Sequence, residues 1–425
     1  MNSHRIAFFV YAHNLAETTR AIEVARACKC ASKFFVHGGI HAKRITDAGF
    51  EMKVLRPEIT IEKHRYLMDL DQGRRIGHPF RLSELRALVE SELQEMLEYQ
   101  PDALYLGMNL PTVLVARIMR KPLISVLPFA GSAPFFALGM AHFPEQFENW
   151  FTSIWPSRWK DQLFNWMGRE LSAGLGRFNR ILKEKGANPL QNMQDLISGN
   201  LNLITDWPEW TGVEASDLPS GYSFVGPIFA DLDIALSPDI LDLLSSAKQS
   251  IYCSMGSSAP PEYLKLAVEA LKELQLPAVV ATTSVLSPGD LGVLPEHIIA
   301  RDYVPAPAVN SLASVALIHG GQGTVQTALW SGTPMVGVAF QFEQQANLQM
   351  MENAGVAIRI PARQYSSETI KRAVRSILDD PSYSENSARL RRSLQAAGKR
   401  GGALRSAALI QGFLESNDSP AENSR

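Results

Sequence analysis

His319-Gly-Gly-Gln-Gly-Thr324 joins an apolar strand end, Ala316-Leu-Ile318, to the opening of a helix from Val325 to Trp330. Such a junction gathers backbone N–H groups, a dipole terminus and a hydroxyl around one point, an arrangement suited to a phosphate or diphosphate. Gly332-Thr-Pro-Met-Val-Gly337 follows as a second strand and loop, bringing the acid–amide pair Glu343-Gln344, and Asn347, toward the same point. A glycine-rich turn alone is weak evidence, because many α/β proteins carry one for packing. The interval from Pro305 to His319 and the later Glu-Gln-x-x-Asn run make the combination specific.

A proton acceptor is expected far up the chain. His13, in Tyr11-Ala-His-Asn14, ends the first apolar strand just before its helix. Histidine titrates near neutrality and serves as a general base. The carboxyl edge of a doubly wound sheet faces the ligand crevice. The competing reading is a turn histidine that caps a helix or faces solvent.

These residues need elements to hold them. Ile6–Val10, Lys33–Val36 and Met52–Leu55 read as strands, with helices over Leu15–Cys28 and Ile40–Ala48 between them. The alternation resumes at Ala103–Leu106, the helix Pro111–Met119 and the strand Leu123–Leu127, and ends near Leu203-Ile204 and Ser223–Val225. It restarts at Ser250–Ser254, with a helix over Pro261–Leu274 and strands at Ala278–Ala281 and His297–Ala300. Strand–helix alternation is the pattern of parallel, doubly wound sheets. The divisions are 1–226, a linker at 227–249, 250–398, a closing helix at 399–415, and a disordered polar tail at 416–425.

At 425 residues two α/β domains are the natural expectation. A net charge of −2 gives no electrostatic case for nucleic acid. Cys28, Cys30 and Cys253 form neither a disulfide framework nor a metal site. No signal peptide or bilayer-length apolar run is read, so a cytoplasmic location is the simplest expectation. From Phe129 to about Phe178 the chain is dense in aromatics, read as helices packing on the first sheet or as rings lining an apolar pocket. Membrane-surface association is a third option there, weakened by the mixed charges.

The second half resembles the UDP-glycosyltransferase-like superfamily, the inverting nucleotide-sugar glycosyltransferases of GT-B fold. The resemblance runs from about Ser250 to Ile360: Ile251-Tyr-Cys-Ser-Met-Gly-Ser257, Tyr303-Val-Pro305, Asn310-Ser-Leu312, His319–Thr324, Gly332–Met335, then Glu343-Gln344 and Asn347. In the first half it rests on element order and His13. It implies two facing Rossmann-like domains with a cleft between them, acceptor domain first and donor domain second. By the same resemblance His319, Gly320, Gly321, Gly323 and Thr324 touch the diphosphate, and Ser257 is a second phosphate or sugar contact. Glu343 and Gln344 bind sugar hydroxyls, while Tyr303 and the Val304 backbone hold the nucleobase. Phe129, Phe135, Phe136, Phe143 and Trp150 help shape the acceptor pocket, and the closing helix packs back on the first domain.

Two departures from the family pattern stand out. Relatives often carry Glu eight residues past the motif histidine to bind ribose hydroxyls; here that residue is Thr327. Relatives on sterols and antibiotics lack it too, and the preference between UDP and dTDP is left open, UDP being favoured. Relatives also orient the base with the second Asp of a Pro-Asp-x-x-x-x-Asp run, where Pro101-Asp102 is followed by Gly107. Asn109 is close enough in sequence to substitute as a hydrogen-bond partner for His13, without the charge that would stabilise an imidazolium, and Glu17 is a less favoured stand-in; the partner is left open. The expected activity is hexose transfer from a UDP- or dTDP-sugar to an apolar or aromatic small molecule, with no metal and no further cofactor. The protein is expected as a monomer or homodimer. The rivals are a UDP-sugar hydrolase or epimerase on the same fold, and a non-catalytic auxiliary protein.

Overall fold

The computed structural model describes residues 4–230, 235–256, 259–283 and 285–418. The first lobe is a seven-stranded parallel sheet of β1 (Arg5–Val10), β2 (Ala31–Val36), β3 (Glu51–Val54), β4 (Ala103–Gly107), β5 (Leu123–Leu127), β6 (Leu201–Ile204) and β7 (Tyr222–Phe224). The second is a six-stranded parallel sheet of β8 (Ile251–Ser254), β9 (Ala278–Ala281), β10 (Ile298–Arg301), β11 (Val315–Ile318), β12 (Met335–Gly337) and β13 (Ala357–Arg359).

Strand order decides where ligands can enter. It runs β3-β2-β1-β4-β5-β6-β7 in the first sheet and β10-β9-β8-β11-β12-β13 in the second. The winding reverses between β1 and β4, and again between β8 and β11. A crevice opens at the carboxyl ends of the strands at each reversal. His13 follows β1, and His319 follows β11 directly.

The strands are apolar because helices cover both faces. Phe8 stacks on Phe34 and Tyr105 with centroids at 4.9 and 4.6 Å, all three fully buried. The closing helix, Gly401–Asp418, buries Ile410 and Leu414 against Ile6, Phe8 and Val10 of the first lobe. It extends three residues into the stretch expected to be a disordered tail; residues 419–425 lie outside the described residues. The 227–249 connection holds a helix, Pro238–Ser245. One apolar cluster spans the lobes, joining Phe129, Phe135, Phe136 and Trp210 to Ile318, Val325 and Met350. Among the described residues no helix is long and apolar enough to cross a membrane.

Candidate active site

In the second lobe the loop after β11 is shaped around one imidazole. The buried His319 ring lies in a slot between Gly256 and Gly321, where an added methyl group would come within 2.5 Å of Nε2 from either side. Gly320 has φ +83°, and a side chain there would meet Leu348 and the Gln344 carbonyl. Burial pushes the His319 pKa down to about 4, partly offset by the Ser254 carbonyl, so the ring is neutral at pH 7. Its Nδ1 is buried without a hydrogen-bond partner among the described residues.

The helix Gln322–Ser331 begins at Gly321 with no side-chain cap. Its first N–H groups are left for an anion, with the positive dipole end behind them. Gly323 has open space at its α-carbon, so packing does not demand a glycine there. Thr324 stands half-buried in the same turn. Thr327 donates its hydroxyl to the Gly323 carbonyl at 2.7 Å, spending that proton inside the helix.

Glu343 and Gln344 lie in the first turn of a helix, Phe342–Asn353. Gln344 fastens the turn: its carbonyl accepts from the Phe340 N–H at 2.9 Å and its amide donates to Gln341 at 2.5 Å. Asn347 ties Glu343 to the glycine loop, donating to the Gly320 carbonyl at 3.0 Å and to Glu343 Oε1 at 3.2 Å. Burial raises the Glu343 carboxyl to about 7; Asn347 and Arg20 pull it down, Asp71 and Asp206 push it up. Tyr303 is exposed and Val304 buried at the same edge of the sheet. Ser257 lies outside the described residues.

In the first lobe, His13 Nε2 meets the Ile59 carbonyl at 2.8 Å. A carbonyl only accepts, so Nε2 carries the proton and Nδ1 holds the lone pair. That Nδ1 is buried with no partner among the described residues. His64 stacks on the ring at 4.9 Å and 11°, and Tyr11 Oη lies 2.7 Å from His64 Nδ1. Burial first, then His13, lowers the His64 pKa, so a second cation beside the base is disfavoured.

Asn109 is not the partner of His13. Asn109 donates to Glu92 at 2.7 Å and to Thr112 at 2.8 Å, in a buried cluster that also engages His37 at 3.1 Å. Its amide is spent on satisfying a fully buried carboxylate, so it does not orient His13. Glu17 instead pairs with Arg20 at 2.9 Å. Gly107 leaves little room for the missing aspartate: a Cβ there would lie 3.0 Å from the Phe9 carbonyl. The Ile59 carbonyl does the orienting, from a segment in which no element was read in the sequence.

The aromatic residues divide. Phe129, Phe135 and Phe136 are core rings between the lobes, with Phe136 stacked on Phe342 at 5.7 Å, and do not line an open pocket. Phe143 is half-buried against Phe164, and Trp150 is exposed on the rim of a cavity of about 490 Å³ between the lobes. Tyr263, Phe340, Gln341, Gln345 and Arg74 also line that cavity. A larger hollow, about 680 Å³, touches Lys121 and Asn200, at the amino ends of β5 and β6, the wrong edge for a ligand crevice.

One contact set joins the two halves of the site. Arg20, seven residues past His13, donates to Gln322 Oε1 at 2.8 Å. Gln322 Nε2 in turn donates to Asp206 at 2.8 Å and Thr205 at 3.0 Å. The buried Asp206 carboxyl also accepts from the Phe129 N–H at 2.8 Å. Burial raises its pKa, and these hydrogen bonds oppose the rise. Gln322 stood inside the motif as an unassigned letter, and nothing in the sequence links it to Asp206.

Residues 267–400 match the family described as Erythromycin biosynthesis protein CIII-like, C-terminal domain. The chain is 26% identical over 335 residues to a PGL/p-HBAD biosynthesis rhamnosyltransferase of Mycobacterium bovis, covering 78% of this chain and 71% of that one. The solved glycotransferase of kitacinnamycin superposes with TM-score 0.69 at 21% identity, over 97% of this chain and 100% of that chain. The glycosyltransferase VinC, solved in complex with DTDP, superposes with TM-score 0.66 at 15% identity, over 97% of this chain and 100% of that chain. Two parallel Rossmann-like sheets and these structural neighbours show the GT-B fold, residues 267–400 of the second lobe match the erythromycin CIII-like C-terminal domain, and the homologues the chain resembles are glycosyltransferases.

Proposed function

We propose that the chain moves a hexose from a nucleoside diphosphate sugar to a hydroxyl of an apolar or aromatic small molecule, with inversion and without a metal. The reading rests chiefly on one observation. Each lobe presents a histidine at its switch point, and each histidine buries an Nδ1 with no partner among the described residues. A buried polar atom without a partner is rare and calls for a ligand or a chemical role.

In the proposed step His13 Nδ1 takes the acceptor proton as the oxygen attacks the anomeric carbon. The bond to the diphosphate breaks on the opposite face, and its electron pair leaves with the phosphate oxygen. The uncapped helix start and the Thr324 hydroxyl stabilise that charge, and the uncharged His319 ring packs beside them. The products are an inverted glycoside and a free nucleoside diphosphate. A backbone dipole holds the imidazolium less well than a carboxylate would. That difference favours an acceptor that is itself acidic, a phenol over an alkanol.

The Thr327 hydroxyl donates inward and can only accept from a ribose, a weaker hold than a carboxylate would give. Thymidine diphosphate sugars therefore join uridine ones as donors, in line with the DTDP bound to VinC. The test is incubation of purified protein with UDP-glucose or dTDP-rhamnose and a phenol panel in EDTA, following nucleoside diphosphate release. Acceptor-dependent release that survives chelation supports the proposal. Release without acceptor points to a hydrolase, and no release with either donor contradicts the reading.

A further inference from the structure

Two consecutive segments of the first lobe carry an apolar surface that the transfer reaction does not use. Trp150, Phe151, Ile154 and Trp155 are exposed on the short helix Trp150–Ser153 and the turn after it, Trp150 by 83% and Ile154 by 71%. On the next helix, Ser157–Glu170, Trp159, Leu163 and Trp166 recur at the spacing of one face, with the two indoles exposed by 62% and 52%. The opposite face is seated in the fold. Lys160 and Asn165 are buried, Phe164 packs on Phe136 and Phe342, and an added methyl at Gly168 would overlap the Phe136 ring. The aromatic stripe is therefore an outer surface.

The charges around this ridge sort by direction. Glu148 pairs with Lys160 at 2.5 Å and Arg363 at 2.9 Å, and Asp161 pairs with His142 at 2.8 Å. Of the mixed charge that weakened a membrane reading in the sequence, Glu148 is offset by cations within the fold, and Asp161 is turned inward to accept from the Phe143 N–H at 2.7 Å. From Asn149 to Arg169 the exposed charged residues are Arg158 and Arg169, one near each end of the stripe, and neither has an ion-pair partner among the described residues. The first exposed acid, Glu170, comes at the last residue of the helix. None of the indole N–H groups of Trp150, Trp155, Trp159 and Trp166 has a protein acceptor among the described residues.

We infer that this ridge docks on the surface of an anionic lipid bilayer. Tryptophan rings settle at the acyl–headgroup boundary and donate their N–H groups to headgroup oxygens, and flanking arginines pair with lipid phosphates. Trp150 and Ser153 also rim the cavity between the lobes, so a docked ridge brings the membrane surface to the cavity mouth. Docking stands apart from the transferase reading, because it needs no donor and no reaction.

The test is co-sedimentation of the full chain with phosphatidylcholine vesicles, with and without phosphatidylglycerol. The chain should pellet with the vesicles, more strongly when phosphatidylglycerol is present. W159Q/W166Q should bind at least about ten-fold more weakly to either vesicle, while R158Q/R169Q should lose only the preference for the anionic one. Quenching of wild-type tryptophan fluorescence by bromine-labelled lipid acyl chains is expected too, and requires no variant to fold. Wild-type chain that stays in the supernatant and is not quenched overturns the inference. So does a W159Q/W166Q variant with an unchanged melting temperature that binds vesicles as well as wild type does. Concentration-dependent dimers abolished by W159Q/W166Q, with no vesicle binding, would assign the ridge to a second copy instead.

Discussion

Glu343 titrates where the enzyme would work. Its carboxyl is raised to about 7, chiefly by burial, so its charge changes across the neutral range. A carboxylate accepts from two sugar hydroxyls and a neutral acid accepts less well, so donor affinity should rise with pH across that range. The stability effect has the opposite slope. The folded pKa lies above the unfolded one, so the contribution is complete below the unfolded value and is lost as pH rises through about 7. Donor KM should fall several-fold between about pH 6 and pH 8, and Glu343→Gln should flatten the profile. A profile that Glu343→Gln leaves unchanged would remove the residue from donor binding. Thr327 carries a second prediction: Thr327→Glu should tighten UDP-sugar binding by about 1 kcal/mol and dTDP-sugar binding by less, read by calorimetry. Equal effects on both donors would mean that the ribose is held elsewhere.

At the scale of elements, the helix Gln322–Ser331 is held from the other lobe as well as from its own sheet. Gln322→Ala removes the bonds to Arg20, Asp206 and Thr205 together and leaves a buried carboxyl short of a donor. The expected cost is about 1–3 kcal/mol of stability. If the contact set aligns the diphosphate loop, donor kcat/KM should also drop about ten-fold, a loss that a purely structural role would not produce. Leu414→Ala in the closing helix should cost about 2–5 kcal/mol by denaturant unfolding, because Leu414 is buried against the first sheet. Strands were legible where burial on both faces writes a continuous apolar run, as at Ile6–Val10 and Ala278–Ala281. The helix Leu82–Tyr99 went unread although Leu85, Leu88, Val89 and Met96 keep helical spacing. β13 is three residues long and follows no motif that would mark it. Motif residues were legible because their spacing is local. Ile59 behind His13, Glu92 behind Asn109 and Asp206 behind Gln322 were not, because those bonds arise only when distant segments dock.

For the whole molecule, two lobes with separate sheets act together only if their switch points face each other. The apolar cluster from Phe129 to Met350 and the Arg20–Gln322 bond hold that arrangement. In the proposed reaction the labour is divided: the second lobe holds the leaving group, and the first removes the proton. His13→Ala measured by acceptor-dependent nucleoside diphosphate release, alongside calorimetric affinity for the diphosphate, tests this division most directly. The prediction is a fall in rate of about 10²–10⁴-fold with diphosphate affinity unchanged. A variant that turns over at the wild-type rate, or that loses diphosphate binding in parallel, would contradict it.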